Sequence, residues 1–262
     1  MRYLLCILLS MPIISYSQAD QLRAVIIVGD IQDRTNSAIQ DMQVIHSFFK
    51  DKNVAVKTFY YPETNWDDIV KGSKDVNFLI YEGHGIEWSN GKYGGLSLNK
   101  SISSEDIIRD LSLSRNALIL FKSVCGGAGS SASDNGDIGG GKALDRVSNY
   151  ALPFFKIGAS AYYANNYTGG LISFLNDFFE GKPIKECFDN SISWSAKLHI
   201  DKYYRYDNTK SISIAGSKGE GMVTLTTYEN GNKTTKKVPN TKRYSLAYVA
   251  NSRFSFSDLK SK

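Results

Sequence analysis

The sequence predicts an α/β protein, a mostly parallel sheet with helices on both faces in a three-layer sandwich. Three observations predict it. Apolar runs of strand length, rich in Val, Ile, Phe and Tyr, recur from residue 23 onward. They are near-continuous rather than alternating, the pattern of strands buried on both faces. Between them lie segments with apolar residues at helical spacing, so strand and helix take turns along the chain.

Arg23 to Val28 is the first strand, closed by Gly29 and Asp30. Asn36 to Lys50 places Ile39, Met42, Ile45 and Phe49 on one helical stripe, with His46 beside it on the helix surface. Val54 to Tyr60 is the second strand, and Trp66 to Lys71 a short helix capped by Thr64 or Asn65. Val76 to Tyr81 is the third strand. Asn90-Gly91 marks a hairpin turn, and Ser104 to Leu111 a helix opened by a capping serine and early acids. The run beginning at Ala117 is the fourth strand and delivers Cys125. Gly126 to Gly141 holds seven glycines and reads as a mobile surface loop. Lys142 to Phe155 is helical, Ile157 to Ala164 is a fifth strand, and Leu171 to Glu180 is an amphipathic helix stopped by Gly181-Lys182-Pro183. A further helix runs from Ile184 to about Lys197.

Beyond it the character changes. Ser211 to Ile214, Met222 to Tyr228, Lys233 to Val238 and Tyr244 to Val249 read as strands, with a turn at Glu229 to Asn232. The first is placed to close the main sheet; the others form a β-rich C-terminal appendage. The domain plan is a leader over residues 1–19, a main domain over 20–200, and a final strand with its extension over 201–262.

Two buried-strand patterns end abruptly in a reactive side chain flanked by glycine, at Gly83-His84-Gly85 and at Val124-Cys125-Gly126. In open α/β sheets the chemistry collects outside the carboxyl ends of the strands. Neighbouring strands ending in these residues set a thiol beside an imidazole, a nucleophile with its base. Either residue alone has a plainer reading, a turn histidine or a small buried hydrophobe. Their joint placement favours the chemical one.

These residues carry a resemblance. Tyr81-Glu82-Gly83-His84-Gly85, followed some forty residues later by Ser123-Val124-Cys125-Gly126, resembles the His-Gly and Cys signatures of the caspase-like (clan CD) cysteine peptidases, the group of caspases, metacaspases, legumains, clostripain-like enzymes and gingipains. The likeness spans roughly residues 23–190 and includes the order of elements. It departs at Lys122 and Ser123, where an acidic residue and Ala or Ser often precede the nucleophile. The resemblance implies a caspase-like sandwich and peptide-bond hydrolysis by a Cys125–His84 dyad. It further implies an oxyanion held by the backbone N–H groups of Gly85 and Cys125. It places activation cleavage in the loop after the nucleophile. Asp30, at the end of the first strand, is the candidate to orient His84. For the specificity pocket, Arg34 would suit an acidic substrate side chain, and Asp134 or Asp137 a basic one. The departure at Lys122-Ser123 motivates a different class of function, a catalytically weak caspase-like module used for binding or scaffolding.

Composition bounds the rest. With 262 residues, 42% of them hydrophobic, the chain can bury a full core without disulfides. Arg2, the apolar stretch from Tyr3 to Ile14 and the small residues Ser17 to Ala19 read as a cleaved export signal, with a mature protein from about Asp20 that is secreted or periplasmic. That stretch is too short to span a bilayer, and no later segment is long enough either. Export leaves Cys125 and Cys187, and a nucleophilic role requires Cys125 to be a free thiol. Charge is uneven, +8 from Lys197 onward and −4 from Asp20 to Ala196. The basic end is a solvated face or a docking surface, and no nucleic-acid motif accompanies it. The expected partner is a protein or peptide substrate. No phosphate loop, no Gly-x-Ser-x-Gly elbow and no zinc-ligand spacing occurs, since His46 and His199 are far from His84 and no CxxC is present. No cofactor or metal is expected.

Overall fold

The structure, a computed structural model, describes residues 21–193, 198–217, 219, 222–229, 232–239 and 242–260. The leader at residues 1–19 lies outside them. In chain order the elements are β1 (Arg23–Val28), α1 (Thr35–Asp51), β2 (Ala55–Tyr60), α2 (Trp66–Gly72), β3 (Phe78–Glu82), the short β4 (Leu96–Ser97) and β5 (Ser101–Ile102), and α3 (Ser104–Asp110). They continue with β6 (Leu118–Lys122), α4 (Gly139–Lys156), β7 (Ala161–Asn165), α5 (Thr168–Phe179), α6 (Ile184–Ser193), β8 (Leu198–Arg205), β9 (Ser211–Ser217), β10 (Met222–Glu229), β11 (Asn232–Pro239) and β12 (Arg243–Ala250).

An eight-stranded sheet in the order β2-β1-β3-β6-β7-β12-β9-β8 forms the middle layer. The first five strands run parallel; β12 is antiparallel to β7, β9 to β12, and β8 to β9. Successive residues of the parallel strands face opposite layers. Val25, Ile27, Leu79, Tyr81, Ile119 and Phe121 pack against α2, α3 and α4. Ala24, Ile26, Phe78, Ile80, Leu118 and Leu120 pack against α1, α5 and α6. Burial on both faces is why these strands lack polar alternation. The protein is therefore a mixed α/β sandwich of three layers, the mostly parallel sheet in the middle. Among the described residues no helix is long and apolar enough to cross a membrane.

Local chemistry accounts for the element ends. Asn65, not Thr64, caps α2 by accepting from the Asp68 amide at 3.3 Å. Ser103 and Asp106 form a reciprocal capping box at α3. The helix expected from Leu171 starts three residues earlier, at Thr168. The helix expected to reach Lys197 is described as far as Ser193. The Asn90-Gly91 turn carries a single bridge, Glu87 to Tyr93, rather than extended strands.

Two expectations change. The strand expected to close the main sheet, Ser211 to Ile214, joins it as β9; of the strands read as an appendage β12 also enters it, β8, which the sequence reading did not mark as a strand, forms its edge, and β10 and β11 stand apart as a two-stranded hairpin. Tyr244 to Ala250 is buried because it lies between β7 and β9, two neighbours far from it in sequence. The glycine-rich loop after Cys125 is pinned over its first half rather than mobile. Arg146 of α4 grips Asp134 through two hydrogen bonds of 2.7 and 2.9 Å, donates to the Gly129 carbonyl at 3.0 Å and lies 4.2 Å over the Tyr93 ring. Arg243 donates to the Ser131 carbonyl at 2.6 Å, and the Tyr244 amide to Ser130 Oγ at 2.8 Å. Glycine content reported backbone freedom, and distant arginines removed it.

On the α4 face the Phe121 ring meets Tyr81, Tyr150, Phe154 and Tyr162 with centroids 5.2 to 6.0 Å away. Phe121→Ala empties the centre of this aromatic cluster. The expected loss is about 3–5 kcal/mol, read in urea unfolding as a lower midpoint at unchanged slope.

Candidate active site

β3 and β6 lie side by side with Glu82 opposite Lys122, so the segments that follow leave the sheet together. After β3 come Gly83 and His84; after β6 come Ser123, Val124 and Cys125. Ser123 adopts φ +55°, a left-handed conformation uncommon outside glycine. It is held there by its hydroxyl donating to the Asn166 carbonyl at 3.0 Å and its amide donating to the Asn165 carbonyl at 3.3 Å. That turn buries Val124 at 2% exposure and leaves Cys125 half-buried at the rim. Gly126, at φ +78°, reverses the chain directly after the thiol. Its close neighbour is the Tyr93 ring, which a side chain at this position would strike.

Two tyrosines from the sheet and α4 fix the rim. The Tyr81 hydroxyl lies 3.1 Å from the His84 carbonyl and 3.0 Å from that of Ser97, and accepts from the Ser97 amide at 2.9 Å. The Tyr150 hydroxyl donates to the Cys125 carbonyl at 3.1 Å and accepts from the Ile86 amide at 3.1 Å. It thus ties the histidine segment to the cysteine segment. Between them Gly85 packs so closely that a β-carbon would overlap the Cys125 carbonyl oxygen and come within 2.7 Å of the Tyr150 hydroxyl. Glycine is required there by space. Burial holds both phenols in their neutral, donating form.

The rim leaves several groups open. His84 is exposed, and its imidazole makes no hydrogen bond among the described residues. Cys125 is a free thiol. Neither the Gly85 nor the Cys125 amide donates a hydrogen bond among the described residues. Cys187 is also a free thiol, but it sits fully buried on α6, and burial pushes its thiol up to about 12. No disulfide joins the two.

Other residues singled out by the sequence are occupied elsewhere. The Asp30 carboxylate accepts from the Gln32 amide at 2.8 Å and from the Thr35 hydroxyl at 3.4 Å, and so shapes the turn into α1. It makes no hydrogen bond to His84. Asp134 is consumed by Arg146 and the Ser131 amide: burial alone would raise its carboxyl, but these donors hold it below the ordinary range. Asp137 accepts from the Lys242 amide. Arg34 is exposed at the start of α1, where its charge is felt by Glu82.

Glu82 and Lys122 carry no site role in the sequence, where Lys122 stands out only as a departure from the resemblance. Glu82 is fully buried and Lys122 is 3% exposed, and the Lys122 ammonium donates to Glu82 Oε1 at 2.7 Å and to Asp41 on α1. Burial pushes the Glu82 carboxyl up to about 7, because Lys122 is shared with Asp41 and cannot fully offset it. Two charged residues ending otherwise apolar strands were the available signal. Tyr81 and Tyr150 gave none, since each sits in an apolar pattern that explains it as core. Among the described residues no three His, Cys, Asp or Glu side chains gather as a metal site.

No family model and no curated protein sequence matches the chain. Fold and site therefore define it by geometry: a three-layer α/β sandwich with an imidazole and a thiol at the carboxyl edge of adjacent parallel strands.

Tyr150→Phe leaves the Ile86 amide and the Cys125 carbonyl without their partner and is expected to cost about 1–3 kcal/mol in urea unfolding. Gly85→Ala forces the two segments apart, at a cost of about 1–3 kcal/mol. Gly141→Ala, in the first turn of α4 with open space around it, serves as the control and is expected to leave stability unchanged or slightly higher.

Proposed function

We propose that the protein is an exported, caspase-like cysteine endopeptidase with Cys125 as nucleophile and His84 as its base and acid. The observation that carries this reading is the close packing of the His84–Ile86 and Cys125 segments, with the Gly85 and Cys125 amides both undonated beside the thiol. The chemistry follows in order. His84 takes the Cys125 proton, and the thiolate attacks the scissile carbonyl carbon, forming a C–S bond. The carbonyl oxygen gains the displaced electron pair, and the Gly85 and Cys125 amides stabilise it. Collapse of the tetrahedral species breaks the C–N bond as His84 protonates the leaving amine. Water, deprotonated by His84, then hydrolyses the thioester, returning the proton to the thiol and releasing the carboxylate product.

In the loop after Cys125 the exposed residues ahead of α4 are Ala132, Ser133, Asn135 and Asp137. Activation cleavage falls in the second half of the loop, because the first half is held by Arg146 and Arg243.

The test compares four variants of the mature chain, with and without limited proteolysis of that loop. Cys125→Ala and His84→Ala are each expected to abolish cleavage of a peptide library, since members of one nucleophilic unit fail together. Cys187→Ala and His46→Ala are expected to keep most of the activity. Wild-type turnover by Cys125→Ala would overturn the mechanism. A thiol that fails to label at neutral pH would favour the binding-module reading.

A further inference from the structure

Below the rim lies a charged cluster that the peptide-bond chemistry leaves unused. Glu82 and Lys122 are register partners on the α1 face of β3 and β6, and both are buried. The single ammonium of Lys122 serves two carboxylates, those of Glu82 and Asp41, while Glu82 Oε2 is buried without any hydrogen-bond partner. For stability alone such a triad is a poor choice, because desolvation of buried charges commonly outweighs their attraction and apolar replacements do as well or better. Its position suggests what it does instead. Glu82 lies two residues before His84, and Lys122 three residues before Cys125, on the same two strands.

The surroundings contain few other charges. Asp41 comes from α1, and Arg34 from the turn that precedes α1. The neighbouring strand positions are Val28 on β1 and Asn165 on β7, and the start of α5 over Asn165 brings Gly170; none of these titrates. The cluster therefore has two states. With Glu82 protonated it is neutral, Lys122 balancing Asp41. With Glu82 ionised it carries one net negative charge, placed on the His84 side. The change falls near neutral pH because burial lifts Glu82 to about 7.

We infer that Glu82, Lys122 and Asp41 form a positioning unit that holds the ends of β3 and β6 together and biases proton exchange between Cys125 and His84. The carboxylate on the histidine strand favours imidazolium, and the ammonium on the cysteine strand favours thiolate. Ionised Glu82 thus supports the reactive ion pair, and protonated Glu82 weakens it. The inference rests on reading Cys125 and His84 as one pair, but its test does not need a peptide substrate.

The rate of Cys125 alkylation by iodoacetamide is followed from pH 5 to 9, with circular dichroism as the check on folding. Wild-type protein is expected to show an inflection near pH 7 that Glu82→Gln lacks, with Glu82→Gln alkylated about three- to tenfold more slowly at pH 8. Glu82→Asp is expected to restore part of the inflection. Asp41→Asn, at a partly exposed site, removes the charge opposing Glu82 ionisation and is expected to move the inflection to lower pH. Superimposable profiles for wild type, Glu82→Gln and Asp41→Asn would overturn the positioning role. Should Cys125→Ala still cleave peptides while these profiles differ, the peptidase reading falls and the positioning unit stands.

Discussion

Parallel pairing of Phe78–Glu82 with Leu118–Lys122 is the constraint on which the rest depends. Both strands are buried on both faces, so every backbone N–H and C=O in them must find a partner in the sheet. Helices cover the two faces, leaving the strand ends as the place where the chain emerges with side chains free to react. The pairing register sets Glu82 level with Lys122, and the emerging segments begin level as well. The close approach of the Gly85–Ile86 and Cys125 segments follows from the ladder.

Three sets of polar contacts then convert adjacent strand ends into a fixed rim. Tyr150 reaches from α4 to both segments with one hydroxyl, satisfying an amide and a carbonyl that would each cost about 1–3 kcal/mol if buried unpaired. Tyr81 does the same for the His84 carbonyl and the backbone of β4. Arg146 clamps the loop after the thiol by pairing with Asp134, both side chains at most 5% exposed. Each contact rests on an aromatic or aliphatic stem packed in the core, so geometry at the rim is inherited from packing beneath it. The buried ion cluster occupies the opposite face of the same two strands. The tyrosine contacts of the rim and the ion cluster are thus separated by the thickness of one sheet.

How much of this was legible in the sequence depends on the range over which it is encoded. The five parallel strands and α1 to α5 were recognisable, because burial on two faces or one stripe leaves a period of a few residues. His84 and Cys125 stood out as candidates because glycine and a polar side chain interrupt an apolar run. The strand Tyr244–Ala250 was misjudged as an appendage, since nothing local distinguishes an inner antiparallel strand from a peripheral one. The loop 126–141 was misjudged as mobile for a related reason: its glycines are local, whereas Arg146 and Arg243 approach it from other elements. Asp30 looked suited to orient a histidine by its place after β1, but the hydroxyl and amide of its own turn take its carboxylate.

By itself the sequence determined most of the strands and helices, the faces they bury, and that an imidazole and a thiol follow two buried strands. Those properties are fixed by spacing and side-chain chemistry within a dozen residues. Tertiary structure alone decided that β3 and β6 are neighbours, that Tyr150 stands 64 residues from the amide it accepts from, and that Lys122 meets a carboxylate 81 residues away. Partner choice of this kind depends on how whole layers pack. No local period records it, because any buried tyrosine or strand-end lysine has the same signature until its neighbours are known.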